Sequence, residues 1–159
     1  MTQAARVVID LRPATRADLR KVMPVMTAAF DPAYGEAWSE AQMAGLLIGP
    51  AARLVLAHSE GDAAGFALTR DILDETELML IATVPEHRGR GIGAALLRDA
   101  IDHARGRGSR TMFLEVRRGN PAEHLYLAQG FAKVGERPHY YRGVDGRAHD
   151  ARTFRLDLN

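Results

Sequence analysis

Between Glu77 and Ala104 the chain reads ELMLIATVPEHRGRGIGAALLRDAIDHA, and its centre is Arg88-Gly89-Arg90-Gly91-Ile92-Gly93. A glycine-rich turn that opens a helix leaves backbone N–H groups unpaired and gathers the positive end of the helix dipole, which suits a phosphate. Arg88 and Arg90 add charge and donors around the same turn. The stretch has neither the Gly-Lys-Ser/Thr of a Walker loop nor the spacing of a dinucleotide fingerprint. A basic surface turn whose glycines only permit a tight connection fits the spacing equally well.

The elements that position this turn are legible on both sides. Before it, Leu78, Leu80 and Ala82 alternate with Glu77, Met79, Ile81 and Thr83 as a strand, which Pro85 ends. After it, Ile92, Leu96, Leu97, Ala100, Ile101 and Ala104 follow helical spacing, and Gly106 and Gly108 close the helix. Upstream, Val7–Arg12 alternates as a first strand. Thr15 and Asp18 cap a helix carrying Leu19, Val22, Met23, Met26 and Phe30, which Pro24 should kink or split. Ser39 and Gln42 form a capping box for a second helix that ends before Gly49-Pro50. The connection between them, Asp31–Trp38, is long for a small domain, and such loops often carry function.

Arg53–His58 and Ala63–Arg70 read as a hairpin about Glu60-Gly61-Asp62. Beyond the long helix, Thr111–Val116 is a strand with Phe113 and Glu115 on one side. Asn120 as cap and Pro121 as first helical residue start a short helix running to Gln129. Phe131–Val134 and Ala151–Leu158 complete the strands, the latter with Phe154, Leu156 and Leu158 inward. The order β-α-α-β-β-β-α-β-α-β-β is that of a mixed α/β sheet of about seven strands flanked by about four helices.

The chain's 159 residues suit one domain, 1–159, with 47% hydrophobic and 26% charged residues, ordinary values for a globular protein. A net charge of +1 gives no general case for nucleic acid or membrane. Arg105, Arg107, Arg110, Arg117 and Arg118 lack the interleaved aromatics of an RNA-stacking surface, so no nucleic-acid partner is expected. Without cysteine there is no disulfide and no thiolate nucleophile, and the six histidines form no ligand spacing, so no metal is expected. No apolar run reaches membrane-spanning length and Met1–Ile9 has no signal-peptide pattern, which leads to the expectation of a cytoplasmic protein.

Arg88-x-x-Gly91-x-Gly93 after Ile81-Ala82-Thr83-Val84-Pro85 resembles the acetyl-CoA motif of the GNAT N-acetyltransferase superfamily. The resemblance extends through Ala37-Trp38-Ser39-Glu40, Leu73-Asp74-Glu75, Leu114-Glu115-Val116-Arg117, the Asn120–Phe131 segment and His139-Tyr140-Tyr141. It is similar above all to the ribosomal-protein-alanine N-acetyltransferase type, which acetylates a protein's N-terminal amine. That resemblance implies the GNAT fold and acetyl-CoA as cosubstrate. It places the cofactor on Ile81, Ala82, Thr83, Arg88, Gly89, Arg90, Gly91, Ile92, Gly93, Ala94 and Asn120.

The same resemblance makes Glu115 the general base and Tyr126 the proton donor to the leaving thiolate. Glu77 matches the base position of the histone-lysine branch, so it is either a rival to Glu115 or the like charge that tunes it. Read without the resemblance, Glu115 is a solvated strand residue, Tyr126 a core aromatic and Asn120 only a cap. Asn120 to Tyr126 is one residue shorter than the family spacing, about 100° of helix, whereas Tyr126 to Gly130-Phe131 is normal. Trp38, Tyr140 and Tyr141 are the expected acceptor-site residues, with the Asp31–Trp38 loop and the His139–Tyr141 hairpin as the two walls of the channel. A protein or peptide N-terminus is the expected acceptor. The runner-up is a small amine or a lysine side chain, and a non-catalytic acyl-CoA-binding module is the rival from another class. The chain is expected to be a monomer or a homodimer.

Overall fold

A computed structural model of the protein describes residues 6–159. The first five residues of the Met1–Ile9 segment, on which the absence of a signal pattern partly rests, lie outside that range. Among the described residues seven strands form one sheet: β1 Ile9–Ala14, β2 Ala52–Ser59, β3 Asp62–Ile72, β4 Glu75–Thr83, β5 Thr111–Arg117, β6 Ala132–Arg142 and β7 Ala148–Asp157. The helices are α1 Leu19–Ala29, α2 Glu40–Leu46, α3 Ile92–Gly106 and α4 Ala122–Ala128. The strand order is β1-β2-β3-β4-β5-β7-β6. Every pairing is antiparallel except β4 with β5, which α3 joins as a crossover.

Both faces of the sheet are covered. On one, α3 buries Ile92, Leu96, Leu97, Ala100, Ile101 and Ala104 against Val55, Leu78, Met112, Leu114 and Phe154. On the other, Leu19, Val22, Val25 and Met26 of α1 and Met43 of α2 pack on Leu54, Leu56, Phe66, Leu68, Leu80 and Ala82. The expected placement of Leu78, Leu80 and Ala82 on one side of β4 is therefore corrected. Leu78 joins the α3 face, whereas Leu80 and Ala82 join the α1 face. The reason is a β-bulge: Leu68 pairs with Leu80 and Thr69 with Leu78, so Met79 has no partner and the alternation slips by one.

Other expectations hold with shifted limits. The first strand is Ile9–Ala14 rather than Val7–Arg12. Thr15 caps a single 3₁₀ turn at Arg16–Asp18, in a box with Asp18, before α1 starts. Pro24 does not split α1. It lies on the solvent face, where water can reach the carbonyl it frees, while Val22, Val25 and Met26 bury the opposite stripe. Ser39 and Gln42 form the expected box, with Ser39 N–H donating to Gln42 Oε1 at 2.8 Å and Gln42 N–H to Ser39 Oγ at 3.1 Å. The strand expected at Phe131–Val134 is instead eleven residues long. As the sheet's edge, β6 pairs only with β7, across two irregularities, so most of its residues face solvent and show no alternation.

Candidate active site

Strands β4 and β5 are paired only from Glu75–Thr111 to Leu78–Leu114. Beyond that point they diverge, and the facing edges of Met79–Thr83 and Glu115–Arg117 share no ladder. The bulge at Met79 marks where the divergence begins. Unpaired strand edges of this kind offer N–H and C=O groups to an extended amide-bearing chain. Two adjoining cavities occupy the opening, one of about 630 Å³ toward the glycine turn and one of about 100 Å³ toward β6.

The larger cavity contains the expected cofactor residues Ile81, Ala82, Thr83, Arg88, Gly89, Gly91, Ile92, Gly93, Ala94 and Asn120. Gly89 and Gly91 have φ of +75° and +85°, values that a side chain disfavours, and Gly91 is the residue that opens α3. Ala95 N–H is the first to bond back, to Gly91 at 3.0 Å, so the N–H groups of Gly91, Ile92, Gly93 and Ala94 point outward without a backbone partner among the described residues. That is an anion cradle. Arg88 uses its guanidinium to hold the cradle in place, donating to Ala29 O at 3.0 Å and Thr83 O at 3.3 Å. Arg90 is the exception among the expected residues. It turns out of the cavity to Glu60 at 3.5 Å and His87 Nδ1 at 3.2 Å.

The smaller cavity gathers Glu77, Glu115, Tyr126, Trp38, Tyr140 and Tyr141, the catalytic and acceptor residues expected from the sequence. Glu115 is ion-paired with Arg137 at 3.1 Å and accepts a hydrogen bond from Thr153 Oγ1 at 2.7 Å. Glu77 is ion-paired with Arg70 at 2.7 Å. The two carboxylates thus enter one cavity, each with its own cation.

Tyr126 lies on α4 with its ring against Phe131 and Phe154, at centroid distances of 5.9 Å and 6.2 Å. The short Asn120–Tyr126 segment still delivers it to the cavity, and α4 runs Ala122–Ala128, starting one residue later than expected. Asn120 keeps its capping role, its Oδ1 accepting from Ala122 N–H at 2.9 Å. Burial, and then the charge of Glu36, push the Tyr126 phenol well above its ordinary pKa. Tyr141 is raised as well, first by burial and then by Glu36.

The two expected walls meet each other. Val144 N–H donates to Pro32 O at 3.2 Å, and a Cβ on Gly143 would overlap Ala33 O. Sequence reasoning missed Glu36, which lines both cavities. The available signal was an acidic residue between Tyr34 and Trp38 in a loop already marked as long. It also missed Arg137 and Thr153, whose contacts with Glu115 are made only when β5, β6 and β7 are assembled.

The fold, the glycine cradle and the divergent strands are those of an acetyl-transferring class of protein, and a model of the acetyltransferase (GNAT) family matches residues 19–131. The chain belongs to that family. It is similar to the [Ribosomal protein bS18]-alanine N-acetyltransferase of Escherichia coli, 43% identical over 88 residues, which are 55% of this chain and 60% of that protein. That match therefore spans less than two thirds of the relative's length. It is also similar to N-alpha-acetyltransferase RimI of Mycobacterium tuberculosis, 38% identical over 154 residues, covering 94% of this chain and 92% of that one. The crystal structure of the ribosomal-protein-S18-alanine N-acetyltransferase from E. coli superposes with a TM-score of 0.84 at 32% identity, over 96% of this chain and 95% of that one.

Proposed function

We propose that this chain, as one domain, transfers an acetyl group from acetyl-CoA to the N-terminal α-amine of a protein such as a ribosomal protein, in the cytoplasm. The observation that carries this reading is the junction of the two cavities. The anion cradle lies at one end of the β4–β5 opening, and Glu115 and Tyr126 lie at the other. The residues fit acetyl-CoA. Orphan N–H groups at Gly91–Ala94 suit a pyrophosphate, and the unpaired edge of β4 suits an amide-bearing arm. When bound, acetyl-CoA supplies an acetyl group activated as a thioester.

The chain's own residues then divide the work. Glu115 accepts the proton of the incoming amine, directly or through a water, while Arg137 and Thr153 fix its carboxylate. Tyr126 keeps its hydroxyl proton across the neutral range and offers it to the departing sulfur. Trp38, Tyr140 and Tyr141 exclude water and line the approach of the acceptor. An α-amine titrates near 7.7–8.0 and a lysine amine near 10.4, so an α-amine is cheaper to deprotonate by about 3.4 kcal/mol.

The test is turnover of acetyl-CoA with short peptides beginning in alanine or serine, with mass spectrometry locating the product. The label is expected on the α-amine, and peptides with a blocked N-terminus and a free lysine should be poor acceptors. A label chiefly on lysine or on a small polyamine would overturn the acceptor assignment.

A further inference from the structure

Glu36 lies in the α1–α2 loop with its side chain only 10% exposed, a position at which a carboxylate must be paired. Both of its oxygens are engaged. Oε1 accepts from Arg117 Nε at 3.0 Å, and Oε2 accepts from Asn120 Nδ2 at 2.8 Å. Arg117 is in turn stacked on Tyr34 of the same loop, 3.7 Å from the ring centroid. The loop therefore grips the end of β5 and the following turn by two charge-assisted hydrogen bonds and a stacked guanidinium.

The Asn120 amide is fixed at both ends, its nitrogen toward Glu36 and its oxygen on Ala122 N–H. Tyr126 follows Ala122 by four residues and so lies on the same helix face. Only Pro121 stands between Asn120 and the first residue of α4, so the anchor lies directly at the helix start. Rotation of the first turn of α4 would carry the phenol around the helix axis.

We propose that Glu36 is a positioning residue for acetyl transfer: by holding Asn120 it sets the first turn of α4, and through it the direction of the Tyr126 hydroxyl. Glu36 sits where both cavities meet, so the same contact joins the cofactor end of the opening to the acceptor end. Its charge adds to burial in raising both the Tyr126 and the Tyr141 phenols. The proposal rests on the N-acetyltransferase reading above, which assigns Tyr126 its task.

The experiment compares the full-length wild type with E36Q, E36A, N120A and the double variant E36A/N120A. Steady-state turnover is measured with acetyl-CoA and an alanine-starting peptide, alongside side-chain NMR of isotope-labelled protein. E36Q and E36A should lower kcat by about 10-fold or more, with KM for acetyl-CoA little changed. The double variant should lose clearly less than the sum of the two single losses, because both singles remove the shared Glu36–Asn120 contact. Independently of activity, E36Q should shift the Tyr126 ring resonances while the protein stays folded. E36Q retains the volume of Glu36, so it remains informative if E36A unfolds. Unaltered kcat in E36Q, a loss confined to acetyl-CoA affinity, fully additive losses or an unmoved Tyr126 ring would each overturn the proposal. A wild type that acetylates no amine would instead remove the functional reading, and the ring resonances would still decide the role of Glu36.

Discussion

The hydroxyl of Tyr141 donates to the backbone carbonyl of Glu115 at 3.2 Å. A phenol from the C-terminal strand pair is thereby locked to the residue that carries the candidate base. Tyr140 stacks edge-on against Tyr141, with centroids 4.9 Å apart, and extends the same wall. The tyrosine wall of the smaller cavity and the Glu115 strand are therefore parts of one hydrogen-bonded unit.

Glu115→Gln should lower kcat by roughly 10²-fold or more, the usual worth of a positioned general base, with acetyl-CoA binding near normal. Glu77→Gln should cost less if Glu77 only tunes Glu115 from the same cavity. Steady-state kinetics of the two variants check the ranking, and the reverse order would transfer the base role to Glu77.

Tyr126→Phe should lower kcat to a similar extent while preserving the ring contacts with Phe131 and Phe154. Its melting temperature should stay close to that of the wild type. Full activity would show that the hydroxyl plays no part at the sulfur.

Acetyl-CoA should raise the melting temperature of the wild type, since a ligand that binds only the folded state stabilises it. Gly91→Asp should abolish that shift by placing negative charge in the cradle. A Cβ at Gly91 meets nothing within 4 Å, so the variant should fold, at a modest cost from the positive φ. A preserved shift would remove the turn from the cofactor site.

The tyrosines predict the alkaline behaviour. Tyr126 and Tyr141 are raised in the folded chain, so above about pH 10 the unfolded chain binds fewer protons than the folded one. Their contribution to stability is intact below that pH and is lost as the pH rises further. Spectrophotometric titration should show two of the four tyrosines ionising only as the chain unfolds. Ionisation of all four at an ordinary pH without unfolding would contradict the burial.

Gly143→Ala should weaken peptide use selectively. Its Cβ would collide with Ala33 O and part the hairpin from the α1–α2 loop. A fall of about 10-fold or more in kcat/KM for the peptide is expected, because small misplacements of a positioned substrate are costly. The acetyl-CoA thermal shift should remain, and a shift lost together with peptide activity would mean that the clash spreads to the cofactor cavity.

The element order, the capping boxes at Thr15 and Ser39, the glycine turn and the α3 stripe were legible in the sequence because each follows from residues within a few positions of one another. The face exchange at Met79 was not legible, since a bulge depends on which partner residue β3 presents across the ladder. The extent of β6 escaped for a related reason: an edge strand paired on one side has no need to alternate apolar residues. Resemblance placed Glu115, Tyr126, Asn120 and the acceptor aromatics in one site, and the tertiary structure decided what each one touches. Glu36 meets Asn120 across 84 positions of sequence, and Thr153 meets Glu115 across 38. Local spacing carries no record of such contacts, which come into being only when the sheet closes and the loop folds over its open edge.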